Sequence, residues 1–236
     1  MRQSGSVKVL VVDVGGSKVK VAVNGKHWRA FESDSDLTPR KMVKKVMRLV
    51  RGWKYDAISL GYPGHVILGR IVTEPRNLGR GWIGFDFEAA FGCPVKVVND
   101  AVLPALGAYT GGKMLFLGLG TGLGSAIIVD GVLQVPNLLE LPLWGKRGSD
   151  HLGKKGLKKL GRARWQRHVN RAVAELKAFF GVDYIVLGGG NASKLTGVPP
   201  HTVLSGRAAV FAGGSLLWSG RPRVILGEPI PISSPP

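Results

Sequence analysis

The sequence predicts an α/β protein built in two lobes. Three observations lead there. Short β-branched runs alternate with stretches of helical period. Each half of the chain opens on strands around a glycine turn, and a polar pair, Asn99-Asp100, stands where a strand ends at the junction of the halves. The expected lobes are residues 1–98 and 99–236.

Val7 to Val14 is a β-branched run of the kind found in buried strands. Gly15-Gly16 turns the chain, and Lys18 to Val23 alternates as a second strand. Asn24-Gly25 is a hairpin signal that leads into a third strand over His27 to Phe31. Thr38-Pro39 caps and opens a helix to about Arg51, with Val43, Val46, Met47 and Val50 inward and Lys41, Lys44, Lys45, Arg48 and Arg51 outward. Ala57 to Leu60 is a short buried strand. Glycine and proline then punctuate 61–84, which reads as loops with short strands. Phe85 to Phe91 reads as a short helix and Val95 to Val98 as a strand, followed by a helix containing Pro104. Met114–Leu119 and Ser125–Val129 pair around a glycine-rich turn. Trp165, Val169, Val173, Leu176 and Phe180 recur at helical spacing, Tyr184 to Leu187 is a strand, and Ala208 to Trp218 is helical. The remaining residues form a proline-rich tail.

With 44% hydrophobic and 20% charged residues, the 236-residue chain has the apolar content for a real core. The early apolar run, Val9 to Val12, stops at Asp13, too short for a signal or membrane segment. A single cysteine, Cys93, excludes an internal disulfide framework and a cysteine-rich zinc site. The expectation is a cytoplasmic protein with no membrane contact. A formal charge of +18 gathers anions, whether a phosphorylated ligand, polyphosphate or nucleic acid; a basic surface tuned for solubility accounts for it equally.

Four segments carry chemistry. In Asp13-Val14-Gly15-Gly16-Ser17-Lys18-Val19-Lys20, a carboxylate ends a strand and bare backbone follows, which suits a phosphate loop with Asp13 holding Mg²⁺ through water. An ordinary hairpin turn has the same residues. Gly118-Leu119-Gly120-Thr121-Gly122-Leu123-Gly124 offers bare backbone and one hydroxyl between two apolar strands. No Gly-Lys-Ser/Thr closes it as a Walker loop, and a strand rather than a helix follows, which disfavours a dinucleotide fold. Asp100, just past a buried strand, is placed to accept a proton from an attacking hydroxyl, or to cap the next helix. Gly61-Tyr62-Pro63-Gly64, with Asn77 farther on, suits a polyol site or a surface turn.

In their order these segments resemble the ROK family of sugar kinases, within the actin-like ATPase superfamily, and most of all its polyphosphate glucokinase branch. The strings that carry the resemblance are Asp13–Lys20, Gly61–Gly64, Thr73–Trp82, Val97–Ala101, Leu119–Ala126 and Ile185–Gly190. The resemblance implies two ribonuclease-H-like lobes with mixed sheets flanked by helices, and donor and sugar meeting in the cleft. It implies that Asp13, Gly15, Gly16, Ser17 and Lys20 form one phosphate loop and Gly120, Thr121 and Gly122 the other. Asp100 becomes the catalytic base; Pro63, Gly64, Asn77 and Asn99 lie on the sugar side; Gly188 and Gly189 line the nucleotide side. Mg²⁺ accompanies the phosphates of ATP or polyphosphate, the acceptor is a glucose-like hexose, and such chains pair into homodimers.

The chain departs from the family where a Glu-x-Gly-His string is expected. Glu140 stands for the glutamate, but Pro142 and Leu143 replace the glycine and histidine, which motivates a second expectation: a catalytically degenerate relative that binds a sugar, nucleotide or polyanion as a sensor or partner protein. His151 and His168 do not restore the motif by spacing, and His168 reads as a surface residue. Arg164, Arg167 and Arg171 share a helical face opposite Trp165, Val169 and Leu176, and form either a patch for a polyanionic donor or a solvated face. No base-stacking aromatics interleave there, so no specific nucleic-acid partner is expected.

Overall fold

The computed structural model describes residues 7–23, 25, 27–136, 138, 141–219 and 225–226. The chain runs β1 (Val9–Val14), β2 (Lys18–Val23), β3 (His27–Glu32), α1 (Pro39–Leu49), β4 (Ala57–Tyr62), β5 (Val66–Ile67), β6 (Arg70–Ile71), α2 (Phe87–Phe91) and β7 (Val95–Asn99). These strands form one mixed sheet, ordered β3-β2-β1-β4-β7, with β5 and β6 as a separate hairpin. Then follow α3 (Val102–Ala108), β8 (Lys113–Leu119), β9 (Leu123–Val129), β10 (Val132–Gln134), β11 (Pro142–Leu143), β12 (Lys146–Arg147), α4 (Gly148–Leu152), α5 (Lys154–Phe180), β13 (Tyr184–Gly188), β14 (Thr202–Leu204), α6 (Arg207–Leu216) and β15 (Ile225–Leu226). The second sheet is ordered β14-β13-β8-β9-β10-β15.

Alternation along the strands divides the core into three layers. Leu10, Val12 and Val14 of β1 face the layer under α1 and α2, with Met42, Val46 and Phe87. Val9 and Val11 face the opposite way, into a layer shared with α3, α6 and the inner residues Met114, Phe116, Ala126 and Ile128 of the second sheet. Leu115, Leu117 and Leu119 turn outward onto Trp165, Val169, Val173 and Leu176 of α5. One helix layer thus joins the two sheets and holds the cleft between them.

Local chemistry explains the helices. Thr38 Oγ1 accepts from the Lys41 amide at the start of α1, with Pro39 at the first position, where its missing N–H costs nothing. Asp86 caps α2 through the Ala89 amide at 2.9 Å. Pro104 sits in the first turn of α3, a position that tolerates it without a kink. A positive φ of 72° at Gly161 kinks α5. The α3–α6 crossing demands glycine, because a Cβ at Gly213 would overlap the Leu103 carbonyl and one at Gly107 the Ala209 carbonyl.

Two details differ from the sequence expectation. Met47 is 46% exposed and Met42 takes the inward place, since Met42 and Val46 are one turn apart while Met47 lies a further 100° round. The tail contributes a strand, β15, whose Ile225 and Leu226 pair in parallel with Val132 and Leu133.

Candidate active site

Register brings the chemical residues to one rim. Asp13 pairs with Gly61 across β1 and β4, and Tyr62 with Asn99 across β4 and β7, so the strand ends present Asp13 beside Gly61, with Asn99 one residue farther along. Asp100 follows at once, its amide donating to the Tyr62 carbonyl at 2.9 Å. Gly61 is required beside it, because a Cβ there would lie 2.6 Å from Leu103 Cδ1 and 3.4 Å from Asp100 Cα.

The Asp100 carboxyl is pushed up to about 7, first by burial and then by the charge of Asp13; the Ala101 amide and the Lys20 ammonium oppose this. By accessible surface Asp100 is only half-buried. Both facts fit a group on the floor of a cleft: protein atoms strip most of its hydration, while an open mouth still lets it exchange protons. Lys20 lies opposite Asp13 in the β1–β2 register, and its Nζ is 2.9 Å from Asp13 Oδ2. Asp13, Lys20 and Asp100 form one coupled charge set.

The two glycine loops meet. Ser17 Oγ and Thr121 Oγ1 are 3.4 Å apart across 104 residues of chain. Gly16 lies between the lobes, such that a Cβ there would be 3.5 Å from Asn77 Nδ2 and 3.8 Å from Thr121 Oγ1. Gly15 is tied down from both sides: its amide donates to Lys18 O at 3.0 Å and its carbonyl accepts from Ser33 Oγ at 2.7 Å. In the second loop, Gly120 O accepts from Asn191 Nδ2 at 3.0 Å and from the Lys154 amide at 2.9 Å. The amide of Gly120 is held by Gly118 O and Gly122 O. Gly188 pairs with Gly118 in register, and Gly189, at a φ of 82°, presses against the Leu119 backbone.

On the acceptor side, Asn99 Nδ2 donates to Gly64 O at 2.8 Å and Asn99 Oδ1 accepts from the Ala101 amide at 3.0 Å. Asn99 thereby clamps the Pro63-Gly64 turn to Asp100 and keeps one amide N–H for a ligand. Glu74 organises the next loop by accepting from the amides of Gly81, Trp82 and Ile83. Trp82 then packs on Tyr62 at 5.3 Å between ring centroids. Glu140 lies outside the described residues.

The basic helix starts at the second loop, since the first amide of α5 is the one that donates to Gly120 O. Arg164, Arg167, Arg171 and His168 line a cavity of about 230 Å³. Arg171 is engaged there: its Nε is 2.7 Å from Glu175 Oε1 and its guanidinium lies over Trp144 at 4.4 Å. His168 is half-buried, a departure from the surface position expected of it. It stacks on His151 at 5.0 Å, and Trp144 contacts both rings edge-on. Burial, followed by His151 and the two arginines, pulls His168 below the usual imidazole range.

Residues 9–135, more than half of the chain, match the ROK family. The chain belongs to that family. The fold is that of ROK sugar kinases, the two-lobed actin-like ATPase fold. An inorganic polyphosphate/ATP-glucomannokinase from Arthrobacter superposes with a TM-score of 0.77 at 22% identity, covering 90% of this chain and 98% of that one. A ROK glucokinase from Streptomyces griseus, solved with glucose and AMPPNP, gives a TM-score of 0.67 at 18% identity over 89% and 98%. In sequence, this ROK chain is 26% identical to a polyphosphate glucokinase of Mycobacterium tuberculosis, over 78% of this chain and 77% of that protein.

Spacing in the sequence missed three structural features around the candidate site. Asn191 is buried and holds the second loop from 71 residues away; its place directly after three glycines was the available signal. Glu74 acts through backbone amides, which leave no side-chain pattern. The Trp144–His151–His168 cluster needs the α4–α5 turn to form, and no linear motif encodes it.

Proposed function

We propose that this chain is a sugar kinase that transfers a phosphoryl group from ATP or polyphosphate to a hydroxyl of a glucose-like hexose. The observation that carries this reading is the meeting of two bare-backbone loops at Ser17 and Thr121, beside a carboxyl poised near neutrality. The acceptor hydroxyl oxygen forms a bond to the terminal phosphorus as the bond to the leaving phosphate oxygen breaks, and the hydroxyl proton passes to Asp100. A base that is half-ionised near pH 7 combines availability with driving force. Positioning and neutralisation of phosphate charge account for the rest of the acceleration.

Phosphate contacts fall to the amides of Gly16 and Gly122, to the hydroxyls of Ser17 and Thr121, and to the Lys20 ammonium; Gly15 and Gly120, whose amides are already bonded within their loops, shape the two turns instead. Gly188 and Gly189 border the nucleotide side. Pro63, Gly64, Asn77, Asn99 and Glu140 serve the sugar. The residues fit Mg²⁺ bound with the donor. Lys20 engages one oxygen of Asp13, and a single carboxylate suits an ion that keeps its waters and leans on phosphates. Asp13 would hold it through water, and it would neutralise donor charge.

The relatives from M. tuberculosis and Arthrobacter, named for polyphosphate, support that donor beside ATP. Arg164 and Arg167 suit the tail of a polyphosphate chain leaving the second loop along α5. A homodimer in the cytoplasm, with lobes divided at residues 98 and 99, completes the reading; no helix of the described residues is long and apolar enough to cross a membrane. The test is phosphoryl transfer to a panel of hexoses and amino sugars with each donor separately, beside Asp100→Asn. Turnover that disappears in the variant supports the kinase. A folded wild type inert with every pair would leave a sugar- or polyanion-binding descendant.

A further inference from the structure

The far end of the first sheet carries a surface that the kinase reading does not use. In the registers of β1, β2 and β3, Trp28 pairs with Ala22, and Ala22 with Val11, toward the amino-terminal end of β1. The cleft opens at the carboxyl ends of β1, β4 and β7. β3 is also the edge strand, with β2, β1 and β4 between it and β7. The surface is therefore separate from Asp100.

His27, Trp28, Arg29 and Trp53 line a cavity of about 460 Å³ there. Trp28 is 48% exposed, which is unusual for an indole in a soluble domain. Guanidinium groups accompany both indoles: Arg207 lies 3.8 Å over Trp28 and Arg29 lies 5.1 Å over Trp53. Arg29 also donates to the Leu49 carbonyl, which ties β3 to the end of α1. The flank of α1 turned to β3 continues the charge. Lys41, Lys45 and Arg48 stand at i, i+4 and i+7, so they form one row, and Lys45 lies over Phe31 of β3 at 5.4 Å. None of the three forms an ion pair among the described residues. The helix contains no acidic residue, and Glu32 at the far end of β3 is paired with Lys18.

Trp28 pairs with Ala22 on the α6 face of the sheet, while Arg29 and Phe31 pair with Val21 and Val19 on the α1 face, so the cavity lies at the sheet edge with cations on either side: Arg207 on one, Arg29 and the α1 row on the other. Such an edge, walled by two indoles, selects a polyanion that carries flat rings. Polyphosphate has charge and no ring; a free sugar has a face and no charge. We propose that this β3–α1 surface binds single-stranded nucleic acid without base-sequence preference, with bases stacked at Trp28 and Trp53 and phosphates tracked by Lys41, Lys45 and Arg48. Stacking on aromatic platforms beside a basic groove is the general physics of single-strand binding.

The test is titration of the full chain with a fluorescein-labelled 12-nucleotide oligothymidylate, read by anisotropy, with unlabelled oligothymidylate and intrinsic tryptophan emission in parallel. Binding should quench that emission. Three phosphate contacts give a salt slope of about −2.1, so affinity should fall roughly twentyfold between 50 and 200 mM salt. Trp28→Ala and Trp53→Ala should each weaken binding about tenfold or more, Trp28→Phe should restore most of the first loss, and Lys45→Glu should weaken binding and flatten the slope. Phosphotransfer should be unchanged in all four. The inference is overturned if inorganic polyphosphate of equal charge displaces the oligonucleotide as well as unlabelled oligothymidylate does. It is overturned equally if the two alanine variants bind like wild type while keeping its melting temperature. Binding abolished by Asp100→Asn or by saturating ATP would also overturn it, by placing the oligonucleotide in the cleft.

Discussion

Replacing Asp100 by asparagine should remove turnover and at the same time stabilise the folded chain above neutral pH. The carboxyl shifts from an ordinary 3.8 to about 7. Between those values the folded state holds a proton that the unfolded state has released. The unfolded state then binds fewer protons, so stability falls as pH rises from about 4 to about 7, and is level beyond. Three pH units at about 1.36 kcal/mol each bound the cost at about 4 kcal/mol. Because the carboxyl keeps contact with solvent, roughly half of that is expected. The asparagine variant escapes the cost: matched to wild type at pH 4, it should be about 2 kcal/mol more stable at pH 8, or about 4–8 °C in melting temperature for a chain of this size. In the wild type, kcat/KM should climb tenfold per pH unit below about 7 and level off above, since this parameter reports the free enzyme. The assay pairs coupled phosphotransfer from pH 5 to 9 with thermal melts over pH 4 to 8. A flat pH profile, or an asparagine variant that turns over at more than about a hundredth of the wild-type rate, refutes the assignment of Asp100 as base. An unchanged difference in melting temperature across that pH range refutes the buried-charge argument.

Lys20→Met removes a cation that holds Asp100 down and frees the Asp13 charge that pushes it up, so the acid limb of kcat/KM should move to higher pH; activity at pH 6.5 should fall more than at pH 8.5. Asn191→Ala deletes the buried bond to Gly120 O, which should cost about 1–2 kcal/mol in denaturant unfolding and raise the donor KM more than it lowers kcat. Gly213→Ala drives a methyl into the Leu103 carbonyl at the α3–α6 crossing and should destabilise by about 3 kcal/mol, lowering the melting temperature by about 6–12 °C.

Much of the fold was legible because its signals are local. Val7 to Val14 alternates nothing and is β-branched, which marks a strand with both faces covered; β1 is buried throughout. Thr38-Pro39 marked the start of α1 by its capping chemistry, and Trp165 to Phe180 marked α5 by its period. The two glycine loops and Asp100 were legible by position, each at the end of an apolar run. Met47 was misplaced because inward and outward positions on a short helix differ by one 100° step, and which side the sheet covers is a tertiary fact.

The sequence by itself determined which segments become strands, where bare backbone is exposed, and that a carboxylate stands at a strand end, because these depend on propensity, period and turn chemistry within about ten residues. Tertiary structure alone decided that Ser17 reaches Thr121, that Asn191 anchors Gly120, that Trp144, His151 and His168 pack together, and that Trp28 and Trp53 share one cleft. The elevated affinity of Asp100 for its proton belongs to the same class. Desolvation and the field of Asp13 act through space, and no spacing along the chain encodes a distance between elements until the sheets have closed on α3 and α6.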